Sequence, residues 1–164
     1  MTLLQKYFKL RKKDPPSYAR NTLLMLLFKP FRKYFNVVII PNIPINLIRI
    51  WCYRLIGFNI GKKVFIGMKC YMDDISPHNT IIEDNVVISY GCYFAVHGKR
   101  QDHTQIKIKK DAYLGMKVSV LGGKKGVVIG ERAFVGACSL VISDIANDST
   151  CLLYTSPSPR DLMR

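Results

Sequence analysis

Three histidines, His78, His97 and His103, are the side chains of this 164-residue chain best suited to move a proton near neutral pH. The last two stand six residues apart in the segment FAVHGKRQDHTQIK. A neutral imidazole in that segment can take a proton from an attacking hydroxyl group, but a loop histidine can equally be a solvated surface side chain. Composition alone favours the solvated side chain, so the choice depends on the elements that carry this segment.

Two groups of charged side chains are further candidates for a binding site. Asp73 and Asp74 are adjacent carboxylates, and on an extended segment they point to opposite faces, so only one can face a given site. Lys124 and Lys125 project from the turn LGGKKGVV, whose glycines permit positive φ angles. Each group either lines a site or belongs to a solvated turn, and the residues alone leave both interpretations open.

The second half of the chain repeats isoleucine, leucine or valine every six residues, a period that neither an amphipathic helix nor an isolated strand has. Repeats of fixed length stack, so that equivalent positions bury one continuous core. The period therefore predicts an all-β fold, a parallel β-helix in which each repeat forms one side of a triangular prism. The repeated residues are Ile60, Ile66, Ile82, Ile88, Ile108, Leu114, Val120, Ile129, Val135 and Val141.

The six-residue phase fails after Phe94 and resumes at Ile108. The segment that contains His97 and His103 is therefore predicted to leave the prism as a loop. Loops that leave a rigid framework are where binding and catalytic residues concentrate.

The hexapeptides IGKKVF, IGMKCY, IEDNVV, LGMKVS, IGERAF and VGACSL resemble those of the hexapeptide-repeat acyltransferases. The resemblance extends from about Asn59 to Ser149 and is strongest to the sugar and polysaccharide O-acetyltransferases, with serine acetyltransferase a relative. It implies a left-handed parallel β-helix of hexapeptide coils, preceded by an N-terminal helical segment. It also implies a homotrimer assembled along the prism axis.

For the catalytic site, the resemblance implies that His97 is the general base, which takes a proton from a saccharide hydroxyl as its oxygen attacks the thioester of acetyl-CoA. His103 is expected to line the acceptor site, and Asp73 to reach the acceptor across the subunit interface. The γ-type carbonic anhydrases share the fold and bind zinc through three histidines. The histidine spacings of 19 and 6 residues do not fit that arrangement, so no metal site is predicted.

For the acyl donor, the resemblance implies that acetyl-CoA lies in the groove between two adjacent prisms. Its amide groups are expected to bond the backbone of successive coils, and its phosphates to lie near Lys124 and Lys125. The other residues expected to bind acetyl-CoA are Tyr113, Gly115, Met116, Gly136 and Ala137.

The net charge of +14 is distributed unevenly along the chain. Residues 1–57 contain 11 Lys or Arg and one acid, whereas residues 58–150 contain 12 Lys or Arg and 9 acids. No nucleic-acid-binding fold is recognisable, and basic residues interleaved with Leu, Phe and Tyr predict that residues 1–35 contact an anionic membrane surface. Residues 46–57 are predicted to form a helix that ends at Gly57 and covers the open end of the β-helix; membrane contact by this helix is the alternative.

The chain therefore divides into a basic amphipathic helical segment (1–57), a β-helix domain (58–150) and a tail (151–164). The stretch CLLYTSPSPRD at 151–161 back-translates codon by codon into a transposase adapter used in sequencing libraries. We therefore expect a non-native tail and a β-helix truncated at its C-terminus. Apart from Cys151, the cysteines have no disulfide or metal spacing, which favours a reducing cytoplasm.

Taken with the resemblance, these features predict an acetyl-CoA-dependent O-acetyltransferase that acts on a surface polysaccharide or its precursor. It is expected in the cytoplasm, peripherally at the inner face of the membrane. The alternatives are a serine acetyltransferase and a non-catalytic β-helix that serves as a binding or scaffold protein.

Overall fold

Residues 30–74, 76–97, 104–152 and 157–158 are described by the structure, which is a computed structural model. It divides the chain into two compact units, Met1–Phe35 and Asn36–Arg164. Residues 36–57, which the sequence analysis assigned to the N-terminal segment, belong to the same unit as the β-helix. Residues 1–29, which are most of the predicted membrane-binding segment, and His103 lie outside the described residues.

The described part of the chain after Gly57 forms short strands arranged in three sheets. Sheet 1 contains β1 (Asn59–Ile60), β4 (Thr80–Ile82), β7 (Ile106–Ile108) and β10 (Val127–Ile129). Sheet 2 contains β2 (Phe65–Ile66), β5 (Val87–Ile88), β8 (Tyr113–Leu114), β11 (Phe134–Val135), β13 (Thr150–Cys151) and β14 (Pro157–Ser158). Sheet 3 contains β3 (Tyr71–Met72), β6 (Tyr93–Ala95), β9 (Ser119–Leu121) and β12 (Leu140–Val141). Neighbouring strands are parallel except β13 and β14, and the chain visits the three sheets in turn, which confirms the left-handed parallel β-helix.

The repeated apolar residues fill the interior of the prism, as the six-residue period predicted. In sheet 2, strand pairing places Ile66 beside Ile88, Ile88 beside Leu114 and Leu114 beside Val135, and all four side chains are fully buried. The small residues four positions after the repeated residues are buried at the corners. They are Val64, Cys70, Val86, Cys92, Ala112, Val118, Ala133 and Ser139.

The corner turns use left-handed backbone conformations at the residue that precedes most of these small side chains. Lys63, Asn85 and Cys138, for example, have φ angles of 54°, 59° and 61°. A left-handed residue other than glycine costs about 1–2 kcal/mol. The stacking of successive coils compensates for this cost.

The α-helix that leads into the first coil closes the end of that coil. The helix α1 spans Asn46–Ile56 and ends at Gly57, whose φ of 110° is left-handed, as predicted. The side chain of Asn46 donates to Val64 O (3.1 Å) and accepts from Ile66 N (3.1 Å), and Arg49 Nε donates to Ile66 O (2.8 Å). These bonds replace those that a preceding coil would make to β2, so the structure confirms that this helix covers the edge of the β-helix.

The two other edges of the first coil are covered in the same way. Arg54 Nε donates to Ile60 O (3.1 Å) at β1, and Asn36 Nδ2 donates to Met72 O (2.7 Å) at β3. Before α1, residues 30–34 are helical, followed by a π-helical turn (Phe35–Ile39) and a 3₁₀ turn (Ile40–Asn42). The chain from Asn36 onward therefore supplies polar groups to all three sheets.

At the other end of the described β-helix, β13 carries the interior column past the predicted domain boundary at residue 150. Cys151 pairs with Val135 and is fully buried, because a thiol is a compact apolar side chain that continues the column of branched residues. The sequence analysis had assigned this residue to the tail. Cys52, Cys70 and Cys92 are also buried, whereas Cys138 is exposed, and no disulfide joins any of the five cysteines.

Candidate active site

The strongest candidate site lies at the corner where the chain passes from sheet 3 to sheet 1. Strand β6 ends at Ala95, and His97 follows it with its side chain about one-third exposed (34%). The Nδ1 atom of His97 contacts the Oδ2 atom of Asp73, which follows β3 in the coil below. The same carboxylate oxygen accepts from the backbone N–H of Val96 (3.1 Å), and Asp73 is fully buried.

This contact decides which nitrogen of His97 can act as a base. An ionised carboxylate only accepts hydrogen bonds, so Nδ1 must carry the proton in the neutral ring. The other nitrogen, Nε2, then has a free electron pair. The arrangement is that of an imidazole oriented for proton transfer at Nε2.

The sequence analysis assigned Asp73 to the acceptor and did not identify the group that orients His97. The strand register contains the missing signal. Because Tyr71 pairs with Tyr93 and Met72 with Phe94, the next residue of each strand places Asp73 beside Ala95, two residues before His97. A role for Asp73 at the acceptor stays a prediction beside this observed contact.

The base of the loop that follows His97 is closed by hydrogen bonds. The backbone N–H of Thr104 donates to Val96 O (2.9 Å), and its hydroxyl donates to the same oxygen (3.1 Å). Val96 and Thr104 are therefore held together although eight positions separate them in the sequence, in agreement with the break in the six-residue phase. His103, predicted to line the acceptor site, falls within residues 98–103, which are outside the described residues.

Two tyrosines form a stacked pair on sheet 3 next to this corner. The rings of Tyr71 and Tyr93 are 4.6 Å apart between centroids and 11° from parallel. Alternation along β3 and β6 puts both on the outer side, the side of Asp73 and His97. Burial, and then the negative charge of Asp73, raises the pKa of Tyr71 to about 12.

The turn with Lys124 and Lys125 lies at the same corner, one coil further along. It joins β9 in sheet 3 to β10 in sheet 1, and Gly122 N donates to Ala95 O (2.9 Å). A Cβ atom at Gly122 would lie 2.4 Å from the Thr104 hydroxyl, so only glycine lets this turn pack against the base of the loop. A cavity of about 340 Å³ opens beside the turn, with both lysines, Ser143 and Asp144 in its wall.

The other residues predicted to bind acetyl-CoA lie at a different corner, between sheet 2 and sheet 3. Tyr113 stacks on Phe134, with ring centroids 4.9 Å apart, and Met116 is exposed. A Cβ atom at Gly115 would lie 2.6 Å from the backbone nitrogen of Ala137, and one at Gly136 would lie 2.7 Å from the Leu152 side chain. The close stacking of coils therefore accounts for Gly115, whereas at Gly136 the flexible Leu152 side chain could move aside. The structure places these residues together but apart from His97.

The remaining histidine is separate from the candidate site. His78 is exposed in the 3₁₀ turn Pro77–Asn79, where its carbonyl accepts from Asn59 Nδ2 (3.0 Å). Across residues 30–74, 76–97, 104–152 and 157–158, no three His, Cys, Asp or Glu side chains lie close enough to bind one metal ion.

Comparison with known proteins finds similarity in structure. No protein-family model matches the sequence, and no curated protein matches it. The crystal structure of a hexapeptide-repeat containing acetyltransferase from Vibrio cholerae aligns with a TM-score of 0.62 and 21% sequence identity, over 84% of this chain and 91% of the other. The two chains share a fold. A second structure, from Vibrio cholerae O1 biovar eltor and complexed with acetyl coenzyme A, aligns with a TM-score of 0.59 and 21% identity, over 84% of this chain and 86% of the other.

Proposed function

We propose that this protein transfers an acetyl group from acetyl-CoA to a hydroxyl group of a saccharide. The observation that carries the proposal is the contact of His97 Nδ1 with the buried carboxylate of Asp73. A non-catalytic scaffold has no need of a buried carboxylate that holds a partly exposed imidazole. A structural neighbour complexed with acetyl coenzyme A supports the choice of acyl donor.

In the proposed mechanism, Nε2 of His97 takes the proton of the acceptor hydroxyl as its oxygen attacks the thioester carbonyl carbon. Asp73 keeps the proton on Nδ1 and stabilises the imidazolium that forms. When the tetrahedral intermediate collapses, the carbon–sulfur bond breaks and the leaving thiolate takes the proton from Nε2. The products are an O-acetyl ester and free coenzyme A, and His97 returns to its neutral form.

We propose that acetyl-CoA lies between two copies of the chain. One copy would contribute the corner with His97, Lys124 and Lys125, and its neighbour the corner with Tyr113 and Met116. The placement of these residues at two different corners of one prism supports this arrangement, because two adjacent copies can present different corners to the same groove. Two lysines beside a cavity fit the phosphate groups of the donor, and the exposed Met116 fits its apolar chain. A homotrimer satisfies this arrangement with three equivalent sites.

The stacked pair of Tyr71 and Tyr93 supports a saccharide as the acceptor. An aromatic face is apolar and packs against the C–H groups of a sugar ring, while the sugar hydroxyls remain free to react. The pair lies on the same side of sheet 3 as His97. We expect Tyr93→Ala to raise KM for the saccharide and to leave KM for acetyl-CoA unchanged.

The proposal is tested by incubating the purified protein with acetyl-CoA and a panel of saccharides while free thiol is measured, with mass spectrometry of the product. His97→Gln should lower kcat by about 10²–10⁴-fold, the contribution of one positioned base. His78→Gln is the matched control, because that exposed histidine lies outside the site, and it should retain full activity. His103→Ala should cost much less than the change at His97.

Retention of near-normal turnover by His97→Gln would show that this residue is not the base. Loss of turnover in His103→Ala instead would move that role to His103. Thiol release with serine but with no saccharide would favour a serine acetyltransferase. A properly folded protein that releases thiol with neither class of acceptor would contradict the proposed activity.

A further inference from the structure

The helix that caps the β-helix exposes an apolar face as well as burying one. Its inner side, with Arg49, Ile50, Cys52 and Tyr53, is buried on the first coil. On its outer side, Leu47, Trp51 and Leu55 are 78%, 61% and 66% exposed, and Ile48 is exposed beside them. A helix with large apolar side chains on two opposite sides buries both only if each side has a cover. Capping of the first coil therefore accounts for only half of this helix.

The exposed residues form one continuous stripe. Leu47, Trp51 and Leu55 are spaced four residues apart, and Ile48 is three residues before Trp51, so all four share one face. Ile45, immediately before the helix, is also exposed. Arg54 is the one charged residue on the exposed side of α1, and its guanidinium lies at the edge of β1, bonded to Ile60 O and Gly61 O. Large contiguous apolar patches mark a surface that binds a partner or a membrane.

We infer that this face of α1, which we call the cap face (Ile45, Leu47, Ile48, Trp51 and Leu55), docks onto an anionic lipid surface. Charge selects this occupant. Along the sequence, residues 1–57 contain 11 basic residues and a single acid, and a segment that combines basic residues with an apolar helix face is typical of binding to anionic membranes. A tryptophan within the stripe is typical of a helix at the membrane–water interface. The inference is independent of the proposed catalytic function.

The same charge disfavours a second copy of the chain as the occupant. A second copy carries the same positively charged segment at residues 1–57, and like charges oppose the association of two copies. A membrane-spanning anchor is a different mode of attachment, and within the described residues no helix is both long and apolar enough to cross a bilayer. Docking parallel to the surface is the mode that a short, laterally apolar helix permits.

The chain carries its own probe for this docking, because Trp51 is its single tryptophan. We would follow the Trp51 emission maximum and its quenching by acrylamide as the full-length protein is titrated with mixed phosphatidylcholine–phosphatidylserine vesicles. The expected result is solvent-exposed emission in the free protein, with a blue shift and protection from quenching on anionic vesicles at low salt. Vesicles of phosphatidylcholine alone, or high salt, should weaken the effect, since the basic residues supply part of the attraction.

Variants distinguish docking through the cap face from nonspecific adsorption of the protein to vesicles. The double substitution Leu47→Glu, Leu55→Glu should lower vesicle affinity by roughly tenfold or more, since it adds two acids to the docking face and leaves Trp51 in place. Tyr90→Glu is the matched control, because Tyr90 is an exposed aromatic residue on the β-helix outside α1, and it should bind as the wild type does. Vesicle flotation measures the same affinities independently of fluorescence.

Four results would overturn the inference. Emission that is already blue-shifted and protected in free protein at every concentration would mean that another part of the chain, such as residues 1–29, covers the cap face. Protection that increases with protein concentration would identify a second copy as the occupant. Equal binding by wild type and the double-glutamate variant would mean that lipid binds elsewhere. If Trp51 is exposed in the free protein and the protein does not bind anionic vesicles at low salt, a lipid surface is excluded as the partner of the cap face.

Discussion

The substitution Asp73→Asn tests most directly whether the pair at the corner of the prism acts in catalysis. The amide nearly preserves the size of the side chain, and its oxygen can still accept from Val96 N, now 3.1 Å from the carboxylate. That oxygen is also the atom in contact with Nδ1 of His97, so the amide can keep both hydrogen bonds and the tautomer of the ring. The opposite orientation would place the NH₂ group, which only donates, against the N–H of Val96 and is disfavoured. The substitution therefore removes the negative charge that stabilises the imidazolium formed on His97 during the transfer.

The magnitude follows from the loss of this charge. We expect kcat to fall by about tenfold, since a hydrogen bond to a neutral amide stabilises the imidazolium by about 1–2 kcal/mol less than a hydrogen bond to a carboxylate. Folding should change little, because loss of one charge-assisted bond costs about 1–2 kcal/mol. For a chain of this size that cost lowers Tm by roughly 2–8 °C. KM for acetyl-CoA should be unchanged, since the contacts proposed for the donor are with Lys124, Lys125, Tyr113 and Met116.

Thiol-release kinetics together with thermal unfolding provide the assay. Asp111→Asn is the matched control, because Asp111 is an exposed aspartate with a left-handed φ of 59° that asparagine tolerates, and its activity should be normal. The double variant Asp73→Asn, His97→Gln should be no slower than His97→Gln alone, because both changes remove one function. Near-normal kcat in folded Asp73→Asn, or additive losses in the double variant, would refute the role of Asp73 as the residue that stabilises the imidazolium of His97.

Three further predictions concern stability and titration. Arg49→Ala should lower the free energy of unfolding by about 2–3 kcal/mol, because it leaves the buried carbonyl of Ile66 without its hydrogen-bond donor. Arg54→Ala, at an exposed position, should lower it by about 1 kcal/mol or less, and urea denaturation of both variants measures the difference. Gly115→Ala should lower the free energy of unfolding by about 3 kcal/mol, since the added Cβ would overlap the backbone of Ala137. Gly123→Ala has open space around its Cβ but a φ of 55°, and should lower the free energy of unfolding by about 1 kcal/mol. Equal losses of stability in thermal unfolding would contradict this explanation. Burial raises the pKa of Tyr71 from 10.0 to about 12. The stabilisation of the fold that follows from this shift is complete below pH 10 and is lost as the pH rises through about 12. Tyr71→Phe should remove the corresponding transition from an ultraviolet titration of the tyrosines.

Much of the fold could be read from the sequence, for a simple physical reason. Side chains such as Ile88 and Leu114 recur at a fixed period, and only stacking of equivalent coils buries them all. The end of α1 could also be predicted from the sequence, because Gly57 takes a left-handed conformation that favours glycine. The loop after Phe94 was visible as an interruption of the same period. These features depend on local residue types and their spacing.

Contacts between coils were decided only by the tertiary structure. Paired residues are 22 positions apart between Ile66 and Ile88 but 26 apart between Ile88 and Leu114, because segments of different length interrupt the six-residue repeat. For this reason the sequence identified His97 as a candidate base and left its orienting partner unnamed, although Asp73 was already singled out. The sequence also could not show that one apolar side of α1 is left exposed. The residues of the helix are the same whether one side or both sides are covered by other parts of the protein. Periodicity determines which side chains point inward, and the register of the stacked coils determines which of the others meet.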